Sequence, residues 1–200
     1  MIDGRINVMA RDQGLGGRAA KERDLHQRQL RGYGFLAGRG PRRGATVVPA
    51  PLRYWQYEPP RLVPIAVVTG IVAVWLGVFA WGGGWPALVD EAPIALGLGL
   101  LVIAANVGRL TVSDHGMSAD VPATRTNPAS IVPSVLVREV RAGDLPADWP
   151  SPARRGGWLP GRTRVAVRYR SDDGSTDRAL TRWVRDPEAF AEALGQPLHR

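Results

Sequence analysis

Residues 62–81 read LVPIAVVTGIVAVWLGVFAW, twenty side chains without a charge. A helix of that length rises about 30 Å, the thickness of a bilayer's hydrocarbon core. A helix on the surface of a soluble domain carries a polar face at about 3.6-residue spacing, and here only Pro64, Thr69 and glycines interrupt the apolar run. Pro64 falls in the first turn, where a missing N–H costs little. Tyr54, Trp55 and Tyr57 before the stretch, and Trp81 and Trp85 after it, bracket it with amphipathic rings suited to the headgroup level. A buried core helix is the weaker reading, because a chain of 200 residues can scarcely bury two such helices on all sides.

A second helix is expected over 92–109. Asp90 and Glu91 precede Pro93, placing acidic residues at a helix start and proline near its first turn. Asn106 and Arg109 are the strongly polar members of that run, and Arg109 is expected to snorkel to the interface. Gly97, Gly99, Ala104 and Ala105 would allow close approach to the first helix, and GGGWPALVDE (82–91) reads as the connecting loop. Arg53 and Arg61 precede the first span, Arg109 ends the second, and the loop between them has no basic residue. The excess of arginine on one side predicts a two-span membrane protein with both termini in the cytoplasm.

Charge follows the same division. Residues 1–61 carry 12 basic and 5 acidic groups, 62–108 carry only Asp90 and Glu91, and 109–200 carry 14 basic and 11 acidic groups. Residues 1–53 are rich in Arg and Gly and poor in large apolar side chains, so a disordered basic extension is expected. A translation start nearer Tyr54 is another reading of that segment. GYGFLAG (32–38) has the wrong spacing for a G-x-G-x-x-G phosphate loop and reads as a linker.

Beyond the spans the pattern changes to short strands. LTVS (110–113) and MSADV (117–121) flank Asp114-His115-Gly116 as a hairpin. IVPSVLVREV (131–140) is a β-branched run with Pro133 at an edge, and the Pro- and Gly-rich residues 143–161 read as a loop. RVAVRYR (164–170) and DRALTRWV (177–184) pair across a Ser171–Gly174 turn. Asp186 caps a last helix, with Pro187 at its first position and Phe190 and Leu194 on one side, before Gly195 stops it.

Two motifs point to a family. YEPPRLVP (57–64) resembles the Y-E-x-x-R-L-x-x-P motif that leads into the first helix of small actinobacterial two-helix membrane proteins of unknown function, with Pro64 one residue early. TRWVRDPEAFAEALG (181–195) resembles their arginine- and tryptophan-containing last strand and Pro-Glu-x-Leu-type helix, with Phe190 in place of a leucine. The resemblance spans 54–195. It implies a membrane α+β protein: a two-helix transmembrane hairpin within 54–110 (helices about 62–81 and 92–109), followed at 111–200 by a small cytoplasmic, pleckstrin-homology-like (PH-like) β domain with a C-terminal helix. The family brings no catalytic residue.

The residues themselves agree on that last point. There is no cysteine, and the three histidines, 26, 115 and 199, lie far apart, so no metal or other cofactor is expected. Ser118, Ser130, Ser134 and Ser171 lack the Gly-flanked elbow of a nucleophile, and His115 sits at a turn tip rather than as a general base. The chain is expected not to be an enzyme but a membrane-anchored binding or scaffold module, with the bilayer and an unidentified cytoplasmic or membrane protein as partners. The alternative is a tether for nucleic acid or anionic lipid through the Arg-rich tail, of which nucleic acid is the disfavoured target. One contact surface stands out: Arg162, Arg164, Arg168 and Arg170 alternate along a strand and would offer a row of guanidinium groups to anionic headgroups. The competing reading is a solvated face paired with Asp172, Asp173 or Asp177.

Overall fold

The computed structural model describes residues 3–34, 40–41, 50–60, 62–120, 126–154 and 159–200, the side chains of 3–13 and 154 excepted. In chain order the described elements are α1 (Asp3–Arg31), β1 (Tyr54–Glu58), α2 (Leu62–Ala105), β2 (Gly108–Ser113), β3 (Gly116–Asp120), β4 (Val132–Pro133), β5 (Val137–Ala142), β6 (Ala153–Arg154), β7 (Thr163–Arg170), β8 (Asp177–Val184), α3 (Pro187–Ala193) and β9 (Leu198–His199). They make a long apolar helix, two small sheets and a short C-terminal helix, an α+β arrangement. One sheet runs β1-β2-β3-β4, the other β6-β8-β7-β5-β9.

The core lies between the inner faces of the sheets. Alternation puts Leu110 and Val112 of β2 and Val165 and Val167 of β7 inward, where Val140, Val184 and Phe190 join them. Asp186 accepts a hydrogen bond from the Ala189 amide at 3.0 Å, Pro187 opens α3, and Gly195 (φ 68°) follows its end. Phe190, fully buried, meets Tyr54 of β1 edge to face, with ring centroids 5.4 Å apart. Gln56 of β1 joins the sheets, donating to the Trp183 carbonyl at 2.7 Å and accepting from the Arg185 amide at 3.0 Å.

Several sequence expectations change here. Residues 54–58 and 108–110 belong to the sheet rather than to the membrane segment, because β1 pairs antiparallel with β2 from Tyr54↔Val112 to Glu58↔Gly108. The apolar segment is therefore an insertion between two neighbouring strands of the β domain. Tyr54 serves the core, and Trp55 and Tyr57 pack on each other within β1. IVPSVLVREV is two strands separated by a 3-10 turn at Ser134–Leu136, and its Pro133 does sit in the edge strand β4.

The expected loop over 82–91 is also helical. α2 continues through it and loses helical geometry at Gly84 (φ 65°, ψ −160°). The glycine triplet explains the break: Gly84 takes a backbone conformation that side chains resist, and a Cβ on Gly83 would lie 2.5 Å from the Ala87 Cβ. Pro86, preset for a first helical turn, then starts the second arm, with Pro93 in its interior. That arm ends at Ala105 rather than 109, and Arg109 lies buried in β2 instead of reaching for an interface.

The two arms lie against each other. A Cβ on Gly99 would come within 3.0 Å of Val72 and 3.5 Å of Val68, and the Trp75 indole N–H reaches the Glu91 carboxylate at 3.4 Å. In a straight helix Val72 and Gly99 would be about 40 Å apart. The outward surface is uncovered: nothing in the most apolar eighteen-residue window of α2 is buried, and Trp81 is 94% exposed. By length and composition α2 can cross a membrane.

The expectation of disorder over 1–53 differs within its described residues. Asp3–Arg31 is helical, and Ala19, His26, Gln29 and Leu30 are buried. The remainder of the 32–38 linker beyond Gly34, and Arg155–Gly157 in the loop before β7, lie outside the described residues.

Candidate functional site

The four arginines singled out from the sequence divide into two pairs. β7 begins beside the end of β1, with Thr163 opposite Val184, and runs away from it to Arg170 opposite Asp177. Arg162 donates from Nη2 to the Tyr57 carbonyl at 2.7 Å, and its buried Nη1 has no acceptor among the described residues. Arg164 lies 3.9 Å from the fully exposed Asp144, a contact too long and too wet to neutralise it. Arg168, by contrast, donates twice to the Asp177 carboxylate, at 2.9 and 2.6 Å, with Trp149 stacked over it at 5.9 Å. Arg170 is in register with the same aspartate. A row of four equivalent cations is therefore not what the fold presents. Its outer face is closed in the middle, where Trp149 packs with Ala166 and Ala179.

Two residues that sequence reasoning did not single out stand beside the first pair. Trp183, half-buried, is the cross-strand neighbour of Arg164, and the exposed Arg185 follows the end of β8. The cross-strand register places them there, and register is what a one-dimensional pattern leaves open.

The outer face of the first sheet is polar yet buried. Arg109, Thr111 and Ser113 of β2 and Ser118 and Asp120 of β3 alternate with the core residues and are nearly inaccessible. α1 and the residues after it shield them. His26 shares a 2.7 Å hydrogen bond with Ser113, Glu22 pairs with His115 at 2.8 Å, and Arg109 donates to the Gly34 carbonyl at 2.6 Å. Burial, with a smaller push from His115, lowers the His26 pKa to about 4, so it is neutral near pH 7. Burial raises the Asp120 carboxyl to about 6, and the Arg109 guanidinium, 3.9 Å away, offsets only part of that. His115 is held by Glu22 rather than standing free at the turn tip.

A cleft of about 400 Å³ opens between β4 and the β6–β8 edge. Arg23 of α1 crosses it, pairing with Asp172 and donating to the Ile131 carbonyl at 3.4 Å. Arg178, Asp172 and Asp173 all belong to its lining, so charges of both signs are present there. Asp173 is committed to the β7–β8 turn, where hydrogen bonds from Ser171 and Ser175 hold its pKa down to about 2. Among the described residues no cluster of three His, Asp or Glu is spaced to hold a metal ion. The chain matches no protein-family model, no curated protein and no solved structure.

Proposed function

We propose that this chain is a membrane-anchored binding module: a two-span helical hairpin holding a PH-like β domain, and both termini, on the cytoplasmic face. In this reading the chain binds and positions rather than catalyses. Its partners are the bilayer and a cytoplasmic or membrane protein that meets the β domain. One observation carries the proposal: both ends of an uncovered apolar segment meet in a single strand pair, Glu58 opposite Gly108. A segment whose ends are pinned side by side must leave the domain and return on the same side. Its arms, 62–83 and 85–105, are each about 31–33 Å long, close to the hydrocarbon thickness. Trp81 and Trp85 stand at the crest, where interfacial rings are favoured. Two sheets with a helix supplying Phe190 to the core support the PH-like reading. Within its described residues the basic N-terminal segment is a docked helix, and no observation favours a nucleic-acid tether.

The absence of native cysteine supplies the test. Gly82→Cys places a thiol at the crest, where a Cβ meets nothing, and Glu192→Cys places one on the exposed side of α3. In intact cells an impermeant thiol reagent should label the first and spare the second. Labelling of Glu192→Cys alone would invert the topology. Release of the protein by alkaline carbonate would end the membrane reading altogether.

A further inference from the structure

We infer that the rim formed by Arg162, Arg164, Trp183 and Arg185 rests on the bilayer and binds the phosphate groups of anionic phospholipids, an inference that rests on the membrane reading above. The tethers are short: residues 59–61 separate Glu58 from α2, and Asn106 and Val107 separate α2 from β2. That end of the β domain is therefore held within about 10 Å of the point where the helices enter the membrane, comparable to a Debye length in physiological salt. Arg162 marks this end, because its guanidinium is fixed on the Tyr57 carbonyl one residue before β1 stops.

The rim has the chemistry of a headgroup contact. Arg164 has only the remote, fully exposed Asp144 as a partner among the described residues, Arg185 is exposed, and Arg162, held on the Tyr57 carbonyl and half-buried, adds positive charge beside them. Trp183 lies across from Arg164 in register, giving an amphipathic ring among cations, a combination suited to the interface. Of the acidic groups nearby, Glu58 is buried against Arg182, and Asp186 is engaged in capping α3. Toward the other end of β7 the same strand face ends in an arginine neutralised by Asp177 and covered by Trp149, with Arg170 some 26 Å from Arg162 along the strand, about 3.3 Å per residue. Only the near half of the row reaches headgroups.

The test uses the full chain reconstituted in vesicles of phosphatidylcholine containing a small share of spin-labelled phosphatidylglycerol or spin-labelled phosphatidylcholine, with the motionally restricted fraction giving their relative association. The native chain should prefer the anionic lipid. Arg162→Gln and Arg164→Gln should each reduce that preference by up to about fivefold. Arg168→Gln and Arg170→Gln should leave it unchanged, and millimolar inorganic phosphate should not displace the lipid. Arg164→Gln disturbs no buried contact, so its result stands even if Arg162→Gln weakens the fold. Equal selectivity in the native chain and Arg164→Gln, or an equal loss in Arg170→Gln, would overturn the inference while leaving membrane insertion intact. Displacement by inorganic phosphate would also overturn it, identifying a soluble anion as the ligand. Extraction of the chain by alkaline carbonate would refute the insertion itself.

Discussion

α1 and α2 are both long helices, and they reverse the usual relation between polarity and burial. α2 is apolar, and its outer surface is left uncovered. α1 is basic and polar, yet His26, Gln29 and Leu30 are buried, His26 on Ser113 of β2 and Gln29 on the Ala50 carbonyl. The outer face of the first sheet presents Arg109, Thr111, Ser113, Ser118 and Asp120, groups that lose solvation when covered unless hydrogen bonds replace it. α1 brings His26 to Ser113, and the residues after it bring the Gly34 carbonyl to Arg109, hydrogen bonds that an apolar helix would not supply. α2 has nothing to offer a polar sheet, and by length and composition it can cross a membrane instead.

That contrast breaks most sharply at the aromatic residues. Phe190→Ala should destabilise the β domain by about 3–5 kcal/mol, because it empties the centre of the core beneath Tyr54. Trp81→Ala removes a larger side chain at the exposed crest and should change the unfolding free energy of the detergent-solubilised protein by no more than about 0.5 kcal/mol. Chemical denaturation of both variants compares them directly. If Trp81→Ala costs as much as Phe190→Ala, the crest is packed against protein, and the division between buried domain and uncovered helix fails.

The docking of α1 should depend on pH, with a sign set by His26. Its pKa is about 4 in the folded chain and 6.5 as the unperturbed value, so the unfolded or undocked state binds the extra proton first. The contact is at full strength above pH 6.5 and weakens as pH falls toward 4, by up to about 3 kcal/mol. Amide exchange in 14–31 should accelerate over that window. Asp120 acts in the opposite direction: with its carboxyl raised to about 6, it costs stability above that pH and relaxes the cost on acidification. A His26→Gln variant, which keeps a hydrogen-bonding side chain without the titration, should therefore become more stable from pH 7 to pH 4. Acid-induced loosening of α1 in that variant would show that His26 is not the group responsible.

A smaller effect is expected between the arms of α2. Gly99→Leu drives a side chain into Val72 and Val68 and should cost about 1–3 kcal/mol of hairpin packing. Gly97→Leu, two residues away where a Cβ meets nothing, serves as the control. A fluorescence-transfer pair spanning the arms should report separation in the first variant only. Equal behaviour of the two would mean the arms do not depend on this close approach.

The elements that could be read directly are those specified by neighbours in the chain. DRALTRWV is the strand β8 at the same bounds, and Asp186, Pro187 and Gly195 mark the ends of α3 where capping chemistry puts them. The reading that competes with lipid contact, a solvated arginine face paired with Asp172, Asp173 or Asp177, is met at Arg168, which pairs with Asp177. The misread elements were specified at a distance. YWQYE looked like an aromatic belt because its partner, β2, comes only after the whole apolar segment. α1 lacked an apolar stripe and so looked unstructured, since its anchors are polar and meet residues far along the chain, such as His26 with Ser113. The acidic pair Asp90-Glu91 looked like a loop end, whereas three glycines upstream had already turned the chain at Gly84.

By itself, then, the amino-acid sequence determined the apolar segment, the strand pattern after it, the last helix with both its caps, and a chemistry without thiols. These follow from side-chain polarity, hydrophobic period and local backbone preference, all of which act within a few residues. Tertiary structure alone decided that the apolar segment is an insertion between paired strands, that α1 covers a polar sheet face, and that within a row of four arginines Arg162 is held by the Tyr57 carbonyl and Arg168 by Asp177. Register, burial of a polar face and the meeting of distant strands depend on which surfaces come together, and no local preference encodes that.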